Sequence, residues 1–230
     1  MEQLNLAMLP QLAYNPEHFL LHAGVRSVFE DCMALVARSS YAAAYVVGTP
    51  RAGKTHLTIA LVSELSRRGY SPRLVDGKAL HAFIAEEATT KFRSDEVLVV
   101  DDAHQYMGTL KPGASGPFVD LIERLRGAHS HVILISSLKR DSFECDAHVL
   151  SRLAEATALS IAEPDENSVP ELLYRMARQR GIQLTERKVE FVERRIPRTL
   201  AAIEDYLEKV VHLSAVLGQK VSLTLLGDAL

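Results

Sequence analysis

Five short apolar runs recur along the chain, each bounded by turn or polar residues: AYVVG ending at Gly48, PRLVD ending at Asp76, EVLVVDD ending at Asp102, HVILISS ending at Ser137 and ALSIA ending at Ala162. Their apolar residues are consecutive and not alternating, which is the pattern of strands buried between two helical layers. Between the runs the period changes. Lys54 to Arg68 places Leu57, Ala60, Leu61 and Leu65 on one helical face, carries two arginines in its last turn and is followed by Gly69, a helix stop. Phe118 to Arg126 repeats the pattern. Strand and helix in alternation predict an α/β fold around a parallel, five-stranded sheet with right-handed crossovers.

After Pro164 no further β-rich run occurs. Helices are predicted over Val169 to Arg180, closed by Gly181, over Glu186 to Arg195 and over Arg198 to Leu217. The acidic, proline-bearing stretch from Glu163 to Asn167 is the expected boundary. The expected organisation is therefore an N-terminal segment 1–12, an α/β unit 13–164 and a small helical unit 165–230.

The formal net charge of -3 supplies no overall positive field, so direct DNA binding is expected to be weak or indirect. Cys32 and Cys145 lie far apart with no ligand spacing, and both are read as reduced core thiols in a reducing, cytoplasmic compartment. Met1 to Pro10 carries an acid where a signal peptide needs positive charge, and no run approaches the roughly 18 apolar residues of a membrane span. Neither export nor a membrane partner is expected.

GTPRAGKT, Gly48 to Thr55, follows the first buried run and opens the first strong helix, and it satisfies G-x-x-x-x-G-K-[ST] in that strand-loop-helix setting. The glycines let the backbone curl so that its N–H groups face phosphate oxygens, and the helix dipole adds positive potential. Lys54 supplies a charge for the outer phosphates and the Thr55 hydroxyl a ligand for magnesium. Nucleotide contacts are thus expected from Gly48, Pro50, Arg51, Ala52, Gly53, Lys54, Thr55 and His56. The third run delivers Asp101 and Asp102 to the carboxyl edge of the sheet, where open α/β sheets keep their ligands. Asp101 is expected to hold Mg²⁺, with Thr55, and Asp102 to orient a water for attack. Ser136 and Ser137 end the fourth run at the same edge, and Ser137 is the candidate for sensing the γ-phosphate. His129 and His131 are read as a solvated loop, and His104 as a helix-start residue close to the cleft. The basic patches RMARQRG and ERKVEFVERR are read as solvated helical faces.

With GTPRAGKTH, VLVVDDAH, the VLSRL at Val149 to Leu153 and the IPRTL at Ile196 to Leu200 in that order, the chain resembles the AAA+ modules of the bacterial replication initiator DnaA, and within them the shorter DnaA-related regulators of the Hda type. The resemblance covers nearly the whole chain. It implies a P-loop α/β module followed by a helical lid, with ADP or ATP and Mg²⁺ as ligands. It also implies that Arg152 is an arginine finger for a neighbouring subunit's nucleotide, a planar cation set against developing phosphoryl charge. Arg198 matches the lid's second sensor; Arg194 and Arg195 compete for that role, and Pro197 in the first turn of a helix favours Arg198. The chain departs from the initiators in two ways. It stops at LTLLGDAL, where the shorter regulators stop and the initiators continue into a DNA-binding domain, and it has Ser137 where initiators usually carry an acid. Weak or absent intrinsic hydrolysis is therefore expected.

The segment QLNLAM near the start remains. The clamp-binding peptides of these regulators have the form Gln-Leu-x-Leu-Pro-Leu, and Gln3, Leu4 and Leu6 match it, with Ala7 in place of the proline and Met8 in place of the last leucine. Three apolar side chains in an extended segment fit a groove while the Gln3 amide bonds its rim. The resemblance thus implies a clamp-docked regulator that presents Arg152 to DnaA and lowers initiation, with the sliding clamp and DnaA as partners and a homodimer among its open assembly states. A helicase-loader-type adaptor and a self-contained ATPase are the alternatives.

Overall fold

A computed structural model describes residues 22–230 except 112 and 114. Five strands, β1 (Ala43–Val47), β2 (Ser71–Asp76), β3 (Glu96–Asp101), β4 (His131–Ser136) and β5 (Thr157–Ser160), form one sheet in the order β2-β3-β4-β1-β5. Every pairing is parallel. Each crossover carries helix: α1 (Ala23–Val36) precedes β1, α2 (Lys54–Arg67) follows it, and α3 (Leu80–Glu86), α4 (Ala103–Met107), α5 (Gly116–Gly127) and α6 (Ala147–Glu155) fill the remaining connections.

Successive strand residues point to opposite faces, so the consecutive apolar runs build two cores. Tyr45, Leu98, Val100, Val132 and Leu134 pack against Ile84, Tyr106, Phe118, Leu121 and Leu125 on one side of the sheet. On the other, Val46, Val97, Val99, Ile133 and Ile135 pack against Val28, Cys32, Leu57, Leu61 and Leu65. Burial holds the Cys32 thiol at a pKa of about 12, which makes it an inert core group, whereas Cys145 is only half-buried. The expectation of strands buried on both faces holds for the interiors of β1, β3 and β4. It fails for β5, which is mostly exposed, and for most of β2, because an edge strand has one neighbour and thinner helical cover.

Beyond β5 come α7 (Ser168–Gln179), α8 (Glu186–Glu193), α9 (Leu200–Leu217) and α10 (Leu223–Asp228). They enclose a third core from Val169, Leu173, Val192, Ile203, Leu207 and Leu226. The helix expected from Arg198 starts two residues later. Thr199 caps it by accepting from the Ala202 N–H at 3.1 Å, so Pro197 and Arg198 precede its first turn. His131 is another correction, being buried as the first residue of β4, with its imidazole pKa lowered by that burial; His129 is exposed in the turn before it. Among the described residues no helix is long and apolar enough to cross a membrane.

Leu61 is fully buried between α2 and the sheet. Leu61→Ala is expected to cost about 2–5 kcal/mol in urea unfolding, against a change within about 0.5 kcal/mol for the exposed Thr224→Ala.

Candidate nucleotide site

The loop from Gly48 to Gly53 is rooted between two strands. Gly48 N–H donates to Ser136 O on β4 at 3.0 Å, and Ile161 N–H, just past β5, donates to Val47 O at 2.8 Å. A Cβ on Gly48 would lie 3.0 Å from Ile161 Cδ1 and 3.2 Å from Lys54 Cγ, so a larger residue would push the lysine out of place. The loop turns through left-handed backbone at Arg51 (φ 64°) and Gly53 (φ 89°) before α2 begins at Lys54. Ala52 is buried in the α2-side core. The Lys54 ammonium is buried over the loop and donates to Gly48 O (3.2 Å) and Thr49 O (2.9 Å). Burial lowers its pKa, against the opposing pull of Asp102 and Asp101.

Asp101 ends β3 facing α2. Burial first, and the neighbouring Asp102 second, raise its carboxyl pKa, while the Thr55 and Thr58 hydroxyls hold it down. A divalent cation suits this arrangement, since it would supply the positive charge that a buried carboxylate beside a second acid lacks. Thr55 and Asp101 would hold it. Among the described residues no three His, Cys, Asp or Glu side chains cluster as a metal cage.

Asp102 sits at φ 49°, ψ 39° ahead of α4. Its carbonyl lies against Gly77, where an added Cβ would be 2.2 Å from Asp102 O, so the glycine after β2 leaves room for this unusual turn. The Asp102 carboxylate has Gln105 Nε2 at 3.5 Å and His104 Nδ1 at 3.8 Å. That same Nδ1 accepts from Ser137 N–H at 3.3 Å, which bridges the ends of β3 and β4. The two serines divide their roles. Ser136 is buried and bonded to Leu138 O (2.8 Å), and Ser137 faces the open space.

Lys54, Thr55, Asp102, His104 and Ser137 border one cleft of about 660 Å³. The sheet side contributes Pro50, Arg51, Gly53, Lys54, Thr55, His56, Asp102, His104 and Ser137, and α1 contributes Val25, with His22 just ahead of it. Leu172, Arg175, Met176, Gln179 and Arg180 enter from α7 and its end, and Leu200 and Glu204 from α9. The RMARQRG segment is thus not wholly a solvated face. The α1 contribution and this face of α7 are what the motifs did not reveal. The spacing of Leu172, Arg175, Met176 and Gln179 on one helical face carries the signal for the second, whereas His22 and Val25 have none in the sequence.

Gly48, Ala52 and Asp101 are not among the cleft-lining residues, and two of the predicted arginines lie elsewhere. Arg198 is not among the cleft-lining residues and is paired with Glu166, because α9 starts after it. Arg152 projects from α6 and is paired with Glu123 (2.6 Å) and Glu155 (2.9 Å), also away from the chain's own cleft. Arg51 borders the cleft but directs its guanidinium to Glu204 and Asp205. Gln3, Leu4, Leu6 and Met8 lie outside the described residues.

A parallel sheet in the order β2-β3-β4-β1-β5, a glycine-bearing loop after β1, acids after β3 and a helical cap over the cleft make up an AAA+ fold. Domain III of the replication initiation protein DnaA from Thermotoga maritima superposes with a TM-score of 0.74 at 18% identity, covering 96% of both chains. AMPPCP-bound DnaA from Aquifex aeolicus gives 0.68 at 18% identity over 91% of this chain and 67% of that one. In sequence, the chromosomal replication initiator protein DnaA of Thermus thermophilus is 24% identical over 227 residues, covering 94% of this chain and 50% of the initiator. The chain spans about half the length of the curated relatives it matches. No family model matches it. The chain thus has the fold of DnaA domain III and is similar in sequence to the DnaA initiators.

Gly77→Ala forces a Cβ into the Asp102 carbonyl and is expected to cost about 1–3 kcal/mol in chemical denaturation. Gly127→Ala, at the end of α5 where an added Cβ meets nothing within 4 Å, serves as the control and should be neutral to stabilising, by up to about 1 kcal/mol.

Proposed function

We propose that the chain is an ADP- or ATP-binding regulator of chromosomal replication initiation that docks on the sliding clamp, the beta subunit of DNA polymerase III, and stimulates ATP hydrolysis by DnaA. The observation that carries the nucleotide assignment is the convergence of Lys54, Thr55, Asp102 and Ser137 on one cleft capped by α7 and α9. Val25, Leu172, Met176 and Leu200 in the same lining give a base apolar surface to bury. With Mg²⁺ bound, the ion would supply charge for the outer phosphates, while Lys54 exchanges its two carbonyl partners for phosphate oxygens.

The link to initiation is supported by the similarity to DnaA across nearly the whole chain. The regulatory role rests on two features of the sequence, the clamp-peptide pattern at Gln3, Leu4, Leu6 and Met8 and the match of Arg152 to an arginine finger. In this role Arg152 trades Glu123 and Glu155 for the γ-phosphate on a neighbouring DnaA, so the hydrolytic event belongs to the partner's site. Arg198 serves the chain's own nucleotide only if it leaves Glu166, which makes it the lid residue most dependent on closure.

Lys54→Ala should abolish nucleotide retention in equilibrium dialysis, and continued tight binding would contradict the phosphate assignment. Arg152→Ala should keep nucleotide binding yet lower the stimulation of DnaA hydrolysis by about 10³-fold; an unchanged rate would sink the regulator reading. Deleting residues 3–8 should eliminate capture by immobilised clamp, whereas equal capture of both forms would remove QLNLAM as the tether.

A further inference from the structure

We infer that Arg51 is a latch whose guanidinium ties the phosphate loop to α9 and sets how long a nucleotide stays in the cleft, an inference that rests on the nucleotide reading of that cleft. The backbone is the first observation. Arg51 sits at φ 64°, in the left-handed region that glycine enters freely and other residues enter at a cost. An arginine held there needs a compensating interaction, and its side chain makes one. Nε donates to Glu204 Oε2 at 2.9 Å and Nη1 donates to Asp205 Oδ1 at 2.6 Å, with Nη2 also 2.9 Å from Glu204 Oε2. A planar fork reaching two carboxylates resists rotation as well as separation.

The second observation is where those acids sit. Glu204 and Asp205 lie one turn into α9, whose Leu200 and Glu204 line the cleft. The buried face of the same helix, Ile203, Tyr206, Leu207 and Val210, is fixed in the core that α7 and α8 share. Moving α9 away from Arg51 therefore moves α7 with it, and with α7 the Arg175, Met176 and Gln179 side of the cleft. The hydrogen bonds span 153 and 154 residues of chain, so they join two separately packed cores. Because the Arg51 and Asp205 side chains are 40% and 57% exposed, added salt weakens the latch. A nucleotide leaves only when α7 and α9 swing off the loop, and that swing breaks both pairs.

The test is stopped-flow release of a fluorescent ADP, chased with unlabelled ADP in Mg²⁺, from the full chain and three variants: R51G, E204Q/D205N and all three changes together. Glycine suits the left-handed backbone, so R51G removes the side chain without straining the loop. Release should be about three- to tenfold faster for R51G and for E204Q/D205N, with no further gain in the combined variant. Raising KCl from about 0.05 to 0.5 M should accelerate release more steeply in the unaltered protein than in R51G. Unchanged release from R51G, or additive effects in the combined variant, overturns the latch while leaving the nucleotide site standing. Absence of fluorescent ADP binding by the unaltered protein overturns the nucleotide reading and the latch with it.

Discussion

The position of the phosphate loop depends on two backbone hydrogen bonds, Gly48 N–H to Ser136 O and Ile161 N–H to Val47 O. They fix the end of β1 between β4 and β5, and all the strands are parallel, so their carboxyl ends emerge on one edge. From that edge the rest follows. The chain can turn into α2 only through left-handed backbone at Arg51 and Gly53, which delivers Lys54 over the loop and Thr55 toward the end of β3. Asp101 meets Thr55 because β3 lies one strand beyond β4, and Gly77 at the end of β2 makes room for the turn of Asp102.

The cations of the molecule separate by the kind of partner that holds them. Lys54 rests on two main-chain carbonyl groups, a hold with no full negative charge opposite it, which an anionic oxygen can replace. Arg51, Arg152 and Arg198 are held by carboxylates, each pairing connecting different parts of the chain: loop to α9, α6 to α5, and the segment before α9 to the link before α7. For the lysine, binding needs no rearrangement of charge within the protein. Under the proposed roles, Arg152 and Arg198 would reach a phosphate only after a carboxylate lets go, which would couple them to assembly or to movement of the lid.

Much of the candidate site's edge was legible in the sequence because the constraints there are local. A strand, a glycine-bearing loop and a helix with fixed spacing place Lys54 and Thr55 at that edge, and an apolar run ending in Asp101 and Asp102 places the acids beside them. The sheet's central strands were legible for the same reason, since unbroken apolar runs are needed only where both faces are covered. What escaped was decided at long range. Whether Met176 or Arg180 meets solvent or the cleft depends on how α7 docks, and the place of Arg198 on a two-residue shift in the start of α9 set by Thr199. His22 and Val25 join the site only because α1 packs beside the loop, which no spacing records.

The central claim is that one nucleotide is gripped jointly by the loop after β1 and the cap formed by α7 and α9. Hydrogen exchange followed by mass spectrometry, with and without Mg²⁺-ADP, measures both contacts at once. Added nucleotide should slow exchange in the loop from Gly48 to Thr55 and, in the same titration, around Arg175 to Arg180. Unchanged exchange in both segments at saturating nucleotide would contradict the account.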